Sequence, residues 1–325
     1  MRRMIPLADI EAAARRIAGR VHRTPLLASR LISERAGVDL RLKCESLQKT
    51  GSFKPRGALN KVLSLTEAER ARGIITVSAG NHAQAVAWAA RSVSVPCAVV
   101  MPEGAPRSKL EAVRGYGAEV VLHADRATLF DRLGEEQRRR GMAFVHPFDD
   151  PVTLAGAGTV GLEILADAPD ADVVVVPVGG GGLMGGVASA IKALRPATRV
   201  IAVELAEGPG LGPALAAGKP VPAARPARTL CDGMTPPFVG ALPLAIARAC
   251  VDGIVAVTER EVIEALAWLF TRAKLWVEGS GAAATAAVLT GRAHLAPGAR
   301  VVAIVSGGNA DPEALLGALA SRSEA

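Results

Sequence analysis

Aromatic side chains are scarce in this sequence: they make up 3% of its 325 residues, whereas hydrophobic residues of all kinds make up 50%. The core must therefore be built from Ala, Val, Leu and Ile. Together with 34 glycines, this aliphatic mix suits alternating strands and helices and predicts the α/β class. A chain of this length can form one large domain or two ordinary domains.

Paired cysteines and apolar spans are also missing. The cysteines show no CxxC spacing and have no histidine cluster nearby; they are Cys44, Cys97, Cys231 and Cys250. This argues against a zinc site and favours a reduced, cytoplasmic setting. No stretch contains roughly 18 uninterrupted apolar residues, and Arg2 and Arg3 are followed by Asp9 and Glu11 before any apolar run. We therefore expect neither a membrane span nor a signal peptide.

A clustered basic surface is lacking as well. The formal net charge is +7, but the arginines are scattered along the chain. The densest run, Arg138 to Arg140, ends a predicted helix, where positive charge is favourable. We therefore expect no nucleic-acid partner.

Strand-like and helical segments alternate along the chain. Three short strand-loop-helix units between about Gly73 and Phe148 are followed by longer units, which predicts two doubly wound, mostly parallel open sheets. We expect a large domain of residues 1–72 and 149–325 and a small domain of residues 73–148. The span from Gly208 to Pro237 is predicted to be an ordered surface excursion with one short helix. The predicted strands are Leu40–Glu45, Ile74–Val77, Cys97–Met101, Glu119–Leu122, Asp172–Val178, Val200–Glu204, Gly253–Val257 and Val301–Val305.

Lys54 lies in the run Thr-Gly-Ser-Phe-Lys-Pro-Arg-Gly-Ala, between a predicted strand and a helix predicted over Ala58–Leu65. A lysine beside Phe53, held by a proline-restricted backbone, can have its pKa lowered by desolvation and can form a Schiff base with a carbonyl. This makes Lys54 the candidate catalytic residue. The alternative is a solvated turn lysine.

A glycine-rich loop joins the buried strand Asp172–Val178 to a predicted helix at Leu183–Leu194. Its four consecutive glycines, Gly179 to Gly182, let backbone N–H groups close on an anion at a helix N-terminus, which predicts a phosphate cradle. A tight turn needed only for packing is the alternative. The loop lacks Gly-Lys-Ser/Thr, which disfavours a nucleotide triphosphate site, but Glu204 keeps a dinucleotide interpretation open.

Two further polar loops follow predicted strands. Ser78-Ala79-Gly80-Asn81-His82-Ala83-Gln84 offers N–H groups, a hydroxyl and an amide that suit a carboxylate. An ordinary helix cap by Ser78 or Asn81 would explain part of this set, and His82 alone is as readily a packed histidine. Ser306-Gly307-Gly308-Asn309 follows the last apolar strand, at the edge where open α/β sheets place their ligands.

These four segments, in this order, resemble the serine/threonine dehydratases of the pyridoxal-phosphate fold type II family, in particular its short threonine ammonia-lyases. The likeness spans nearly the whole chain and implies a tryptophan-synthase-β-like fold. It implies that pyridoxal 5'-phosphate is bound covalently by Lys54. It also implies cofactor contacts from Phe53, Asn81, Gly179, Gly180, Gly181, Gly182, Leu183, Gly233, Glu278 and Ser306, and substrate carboxylate contacts from Ser78, Ala79, Asn81 and His82.

The resemblance further implies a β-elimination. Lys54, released by the substrate amine, would take the α-proton as general base, with Ser78 and Asn81 beside it, and L-threonine or L-serine would yield a 2-oxo acid and ammonia. A neutral Ser306 facing the pyridine nitrogen would favour prompt loss of the β-hydroxyl. The alternatives are another hydroxy amino acid such as hydroxyaspartate or phenylserine, β-replacement, a serine-racemase-like reaction, a relative that binds ligand without catalysis, and a dinucleotide-dependent oxidoreductase.

Some positions depart from the family pattern. Serine racemases carry a hydroxyl where Ala79 stands, so we expect negligible racemisation. Glu204 and Gly208 match two ligands of a cation site found in some relatives, but Gly210 replaces the expected Asp, so no metal is expected. About fifteen residues follow Asn309, which leaves no room for the regulatory domain of biosynthetic threonine deaminases. The resemblance implies a homodimer.

Overall fold

The computed structural model describes residues 4–105, 107–224, 226 and 228–321; Arg2 and Arg3 lie outside them. In chain order the strands are β1 (Leu26–Ala28), β2 (Asp39–Cys44), β3 (Ile74–Val77), β4 (Cys97–Pro102), β5 (Glu119–His123), β6 (Ala143–Phe144), β7 (Val173–Pro177), β8 (Arg199–Leu205), β9 (Gly253–Val257) and β10 (Arg300–Val305).

The helices surround these strands. They are α1 (Leu7–Ile17), α2 (Arg30–Ala36), α3 (Lys54–Ser64), α4 (Glu67–Arg72), α5 (Asn81–Ser92), α6 (Arg107–Gly115), α7 (Leu129–Arg140), α8 (Pro151–Asp167), α9 (Gly182–Leu194), α10 (Leu211–Ala217), α11 (Ala241–Cys250), α12 (Glu259–Trp268), α13 (Gly279–Leu289) and α14 (Pro312–Ser321). Within the described ranges, no helix has the length and apolar character needed to cross a membrane.

The strands form two sheets. The larger has the order β1-β2-β10-β7-β8-β9, and the smaller has the order β5-β4-β3-β6. Every neighbouring pair is parallel except β1 with β2. The predicted fold class, two mostly parallel open sheets with helices, is confirmed. The smaller sheet lies within the predicted small domain of residues 73–148, and the domain boundaries themselves stay a prediction.

Some elements differ from the sequence expectation. Strands β1 and β6 have three residues and two residues, too few to give an alternating pattern, and the sequence does not predict them. The pattern also does not predict α4, α11 and α14. A 3₁₀ turn precedes α7, and a π-helical turn at Leu269–Ala273 follows α12, so the single helices predicted over 125–140 and 259–273 are each divided. The excursion from Gly208 to Pro237 contains α10 and a 3₁₀ turn at Asp232–Met234; its positions 225 and 227 lie outside the described residues.

The core is aliphatic, as the composition predicts. All five residues of β7 are buried, and separate hydrophobic clusters cover the two faces of the larger sheet. A strand buried on both faces reads as a continuous apolar run, which is how the Val173–Val176 run stands out in the sequence.

Helix α3, which begins at Lys54, is held tightly against α8. A side chain could not fit at Gly156, because its Cβ would overlap the Arg56 carbonyl oxygen. At Gly57 a Cβ would lie 2.7 Å from the Thr153 carbonyl oxygen. Pro55 occupies the first turn of α3, where its missing N–H removes no helical hydrogen bond, and the helix starts four residues before its predicted start at Ala58.

Buried charges fix the same helix. The Arg56 guanidinium, 1% exposed, binds Glu45 through Nε to Oε2 at 2.8 Å and Glu163 through Nη1 to Oε1 at 2.7 Å. Lys43 Nζ lies 2.6 Å from Glu163 Oε2 and donates to the Thr24 carbonyl at 2.7 Å. This Arg56 network has two positive and two negative groups, and it joins β2, α3 and α8.

Candidate active site

A cavity of about 740 Å³ opens between residues of the two sheets. Its lining contains every residue that the sequence predicts for the cofactor and the substrate carboxylate: Phe53, Lys54, Ser78, Ala79, Asn81, His82, Gly179, Gly180, Gly181, Gly182, Leu183, Gly233, Glu278 and Ser306. The segments meet because the carboxyl ends of parallel strands lie at one edge of a sheet. Their individual roles stay predictions.

Lys54 projects into this cavity from the first residue of α3. Its Nζ donates a hydrogen bond to the Pro147 carbonyl at 2.8 Å and lies 5.1 Å from the centroid of the Phe53 ring. Burial lowers the pKa of the Lys54 amine to about 8, although the Glu278 carboxylate acts in the opposite direction. The amine is thus desolvated, as the sequence predicts, and a substantial fraction is neutral near physiological pH.

The loop after β7 brings backbone N–H groups to the cavity at the start of α9. Gly181 has φ of +90°, a left-handed conformation that favours glycine, and precedes the first residue of the helix. A Cβ at Gly180 would overlap the Phe148 ring, so close packing also demands glycine here. Packing and anion binding are therefore both served by the same loop.

The loop after β3 is not an ordinary helix cap. The N-cap residue of α5 is Gly80, and neither Ser78 nor Asn81 caps the helix; the Ser78 hydroxyl accepts the Gly80 N–H at 3.2 Å. His82 Nε2 donates to the Val145 carbonyl at 3.0 Å, and burial places the pKa of His82 well below 6.5. The neutral ring then presents only the acceptor Nδ1, so a substrate carboxylate could be bound by the backbone N–H of His82 but not by its imidazole.

Asn81 is held on both sides. Its Nδ2 donates to Glu278 Oε1 at 2.6 Å, and its Oδ1 accepts from Asn309 Nδ2 at 2.8 Å. Asn309 Nδ2 also donates to the Thr50 carbonyl at 2.7 Å. These contacts fix the orientation of the amide and leave its second N–H hydrogen for a ligand. The sequence did not single out Asn309 as a site residue, although its motif did contain it.

The chain matches the family model described as "Pyridoxal-phosphate dependent enzyme" over residues 17–307. The protein belongs to this family. The resemblance inferred from four motifs is confirmed, the cofactor is pyridoxal phosphate, and the dinucleotide alternative is set aside.

Relatives in this pyridoxal-phosphate-dependent family are similar over most of their length. The L-threonine ammonia-lyase of Thermotoga maritima is 45% identical over 312 residues, which are 95% of this chain and 76% of that protein. The structure of a threonine deaminase from the organism abbreviated T.th. matches with a TM-score of 0.88 and 45% identity, covering 94% of this chain and 98% of the other. Maize serine racemase matches with a TM-score of 0.91 and 35% identity, covering 98% of each chain.

The residues of the cavity fit pyridoxal phosphate. The cofactor needs an amine for its aldehyde, N–H groups for its phosphate and a partner for its pyridine nitrogen, and the first two are Lys54 and the loop after β7. Two hydroxyls are candidates for the third. Ser306 Oγ makes only a long contact of 3.4 Å to the Ser280 carbonyl, and Ser280 Oγ is buried without a hydrogen-bond partner among the described residues. Ser280 was not predicted, although the sequence flagged its segment at Glu278.

An ion pair also crosses the cavity. Lys109, on α6 beside the smaller sheet, pairs with Asp232 in the loop before α11, and both residues line the cavity. Nothing in their local sequence indicates this pair.

Glu204 serves a structural purpose away from the cavity. Its Oε2 accepts the backbone N–H groups of Gly210, Leu211 and Gly212 at 3.0, 2.8 and 3.2 Å. The carboxylate therefore caps the start of α10. Among the described residues, no group of three or more His, Cys, Asp or Glu side chains could hold a metal ion.

Burial raises the pKa of Glu278 to about 7, with Asp232 acting in the same direction. Its negative charge is thus present where Lys54 titrates, and it favours the cationic amine. We expect Glu278→Gln to lower the pKa of Lys54 below about 8, because glutamine removes the charge yet keeps an oxygen that can accept the Asn81 N–H. The measurement is the pH midpoint of imine formation between cofactor-free protein and pyridoxal. Glu264→Gln, at an exposed position on α12, is the control, and an unchanged midpoint in Glu278→Gln would contradict the expectation.

Proposed function

We propose that this enzyme removes water from a 3-hydroxy amino acid, L-threonine or L-serine, and releases a 2-oxo acid and ammonia. The observation that carries the proposal is the desolvated Lys54 amine, which shares one cavity with the loop after β7 and the hydroxyl of Ser306. The printed names of the relatives, L-threonine ammonia-lyase and threonine deaminase, support the same reaction.

In this proposal Lys54 is the covalent anchor and then the general base. Bound pyridoxal phosphate supplies an electron sink that acidifies the α-proton of the attached amino acid. Once the substrate amine has replaced it, the free Lys54 amine takes that α-proton. A pKa of about 8 lies close to a neutral operating pH, where a general base is most effective. The β-hydroxyl then leaves as water after gaining a proton.

The other residues hold and orient. The N–H groups of Gly179 to Leu183 would bind the phosphate, and Asn81, fixed by Glu278, would direct its free N–H to the ring oxygen. Ser306 and Ser280 offer the pyridine nitrogen neutral hydroxyls, which do not force protonation as a carboxylate would. The proposed carboxylate contacts are Ser78, Asn81 and the backbone N–H groups of Ala79 and His82; Phe53 and Gly233 would flank the ring.

Racemisation is the second reaction to consider, because maize serine racemase shares the fold. A racemase needs an acid or base on each face of the α-carbon. Lys54 lies on one face, and Ala79, which has no ionisable hydrogen, stands where the racemases carry a hydroxyl. We therefore propose elimination without appreciable racemisation.

A substrate panel tests the proposed function. L-threonine, L-serine, threo-3-hydroxyaspartate and 3-phenylserine are incubated with the holoenzyme and scored for 2-oxo acid, and the serine reaction is also scored for D-serine. We expect turnover of threonine or serine, with D-serine formed far more slowly than pyruvate. Turnover of the acidic or aromatic substrate alone would replace the proposed substrate. D-serine formed at a rate near that of pyruvate would contradict the role given to Ala79.

The enzyme acts on a small amino acid, and we propose that it does so as a cytoplasmic homodimer. Support comes from the family resemblance and from the cysteines, all four of which are free. Light scattering on the holoenzyme checks the dimer, and a monomeric mass would refute it.

A further inference from the structure

The turn after β6 contains a histidine that the proposed mechanism does not use. His146 Nδ1 accepts the backbone N–H of Phe148 at 3.2 Å and that of Asp149 at 2.9 Å. Accepting these hydrogen bonds requires an unprotonated Nδ1, so the ring is neutral with its hydrogen on Nε2. Burial and the nearby Lys54 charge lower the pKa of His146, against the opposing effect of the Asp149 and Asp150 carboxylates.

The same turn presents a backbone carbonyl to the candidate base. Pro147, directly after the histidine, accepts the hydrogen bond from Lys54 Nζ at 2.8 Å. On one side of the turn the Val145 carbonyl accepts from His82 Nε2 at 3.0 Å, and on the other side the Asp149 carboxylate caps α11 through the Ala241 N–H at 3.0 Å. Both flanks are anchored, and His146 Nδ1 is the side-chain acceptor inside the turn.

The imidazole is itself held in place by aromatic rings. Its centroid lies 4.9 Å from that of Phe148 in an edge-on arrangement, 5.2 Å from that of Phe144 and 6.3 Å from that of Phe130. The whole chain contains only six phenylalanines, so half of them surround this one ring. Such packing restricts the rotamer and keeps Nδ1 aimed at the backbone.

We propose that His146 is a positioning residue for the general base: it holds the turn that directs the Pro147 carbonyl to the free Lys54 amine and so sets the direction of the amine lone pair. The inference rests on the proposed function for its kinetic consequence. A neutral amine that donates one N–H to a fixed carbonyl has a defined orientation, and proton transfer depends on such alignment. The contact matters while the amine is free, so the effect belongs to kcat and not to substrate binding.

The test compares two substitutions at His146. In His146→Leu the acceptor is lost, whereas in His146→Asn the side-chain oxygen can accept the N–H two residues on, as asparagine does in Asx turns. For His146→Leu we expect kcat to fall at least about tenfold, with KM changed less than about twofold and a larger kinetic isotope effect on α-deuterated substrate. For His146→Asn we expect most of kcat to be retained. Phe144→Leu, which removes packing from the ring but leaves the turn, is the control.

A second readout needs no turnover. Cofactor-free protein is titrated with pyridoxal, and the pH midpoint of imine formation at Lys54 is recorded. Because the Pro147 carbonyl stabilises the charged amine, the midpoint should fall in His146→Leu and stay unchanged in His146→Asn and Phe144→Leu. If no hydroxy amino acid is turned over, the proposed function fails but this titration still tests the coupling.

The outcomes separate positioning from packing. A midpoint that falls only in His146→Leu supports the proposal. Equal effects of His146→Leu and Phe144→Leu, or a His146→Asn protein as impaired as the leucine protein, would overturn it. Should the leucine variant not fold, His146→Ala removes the same acceptor and takes its place in both measurements.

Discussion

Lys54→Ala should lower kcat for elimination by at least about 10³-fold, because one substitution removes both the covalent anchor and the general base. Lys54→Arg should be equally inactive: guanidinium keeps the positive charge but stays protonated and forms no imine. The measurement is 2-oxo acid formation by holoenzyme, together with borohydride reduction and mass analysis of the peptide that contains residue 54.

The matched control for this prediction lies on the same helix. Lys61 is two turns further along α3, where its ammonium pairs with Asp150 at 2.7 Å, away from the cavity lining. Lys61→Ala should keep activity within about threefold, since a partly exposed ion pair contributes little. If borohydride still fixed cofactor mass to the chain in Lys54→Ala, another lysine would be the anchor and the proposed mechanism would be wrong.

Arg56→Met should destabilise the fold by about 3–5 kcal/mol, because it removes the central cation of the Arg56 network and leaves buried carboxylates underpaired. Glu45 is fully buried and binds Arg56 through both carboxylate oxygens, while Glu163 keeps only Lys43 as a cationic partner. The measurement is urea-induced unfolding of holoenzyme at pH 7. The start of α3 should loosen as well, so the affinity for pyridoxal phosphate should fall with stability.

A surface pair provides the comparison for the Arg56 network. Arg23, whose side chain is 57% exposed, pairs with Asp167, and Arg23→Met should cost less than about 1 kcal/mol. In the double variant Arg56→Met with Glu45→Gln, part of the loss should be recovered, because one unpaired buried charge is removed with the first. Equal costs for Arg56→Met and Arg23→Met would mean that burial does not make this network important.

The sequence predicted the site better than its supports. Lys54 and Ser306 are far apart in the chain, yet both could be placed because each follows a recognisable apolar strand in a parallel sheet. Strand ends have a sequence signature, and the residues just beyond them meet at one edge. The aliphatic core followed from composition for a similar reason, since few aromatic side chains were available to fill it.

What the sequence could not supply was orientation. The Pro147 carbonyl at Lys54 is a backbone group, and any residue type could have provided it. The neutral tautomer of His82 depends on the Val145 carbonyl, so its loss as a donor to substrate carboxylate could not be foreseen. Likewise Glu204 looked like a possible cation ligand because its capping of α10 depends on the path of a loop, which leaves no regular pattern.

The pairing of β2 with β10 has a consequence for biosynthesis. These strands run in register from Asp39 beside Arg300 to Cys44 beside Val305, and β10 alone connects β2 to the rest of the larger sheet. A ribosome adding about 5–20 residues per second needs on the order of tens of seconds to make the intervening chain. During that time β2 has only β1 as a partner, and its apolar face is a target for chaperones. Ser306 is the last of the predicted site residues to emerge, so the complete cofactor site can form only after β10 has left the ribosome.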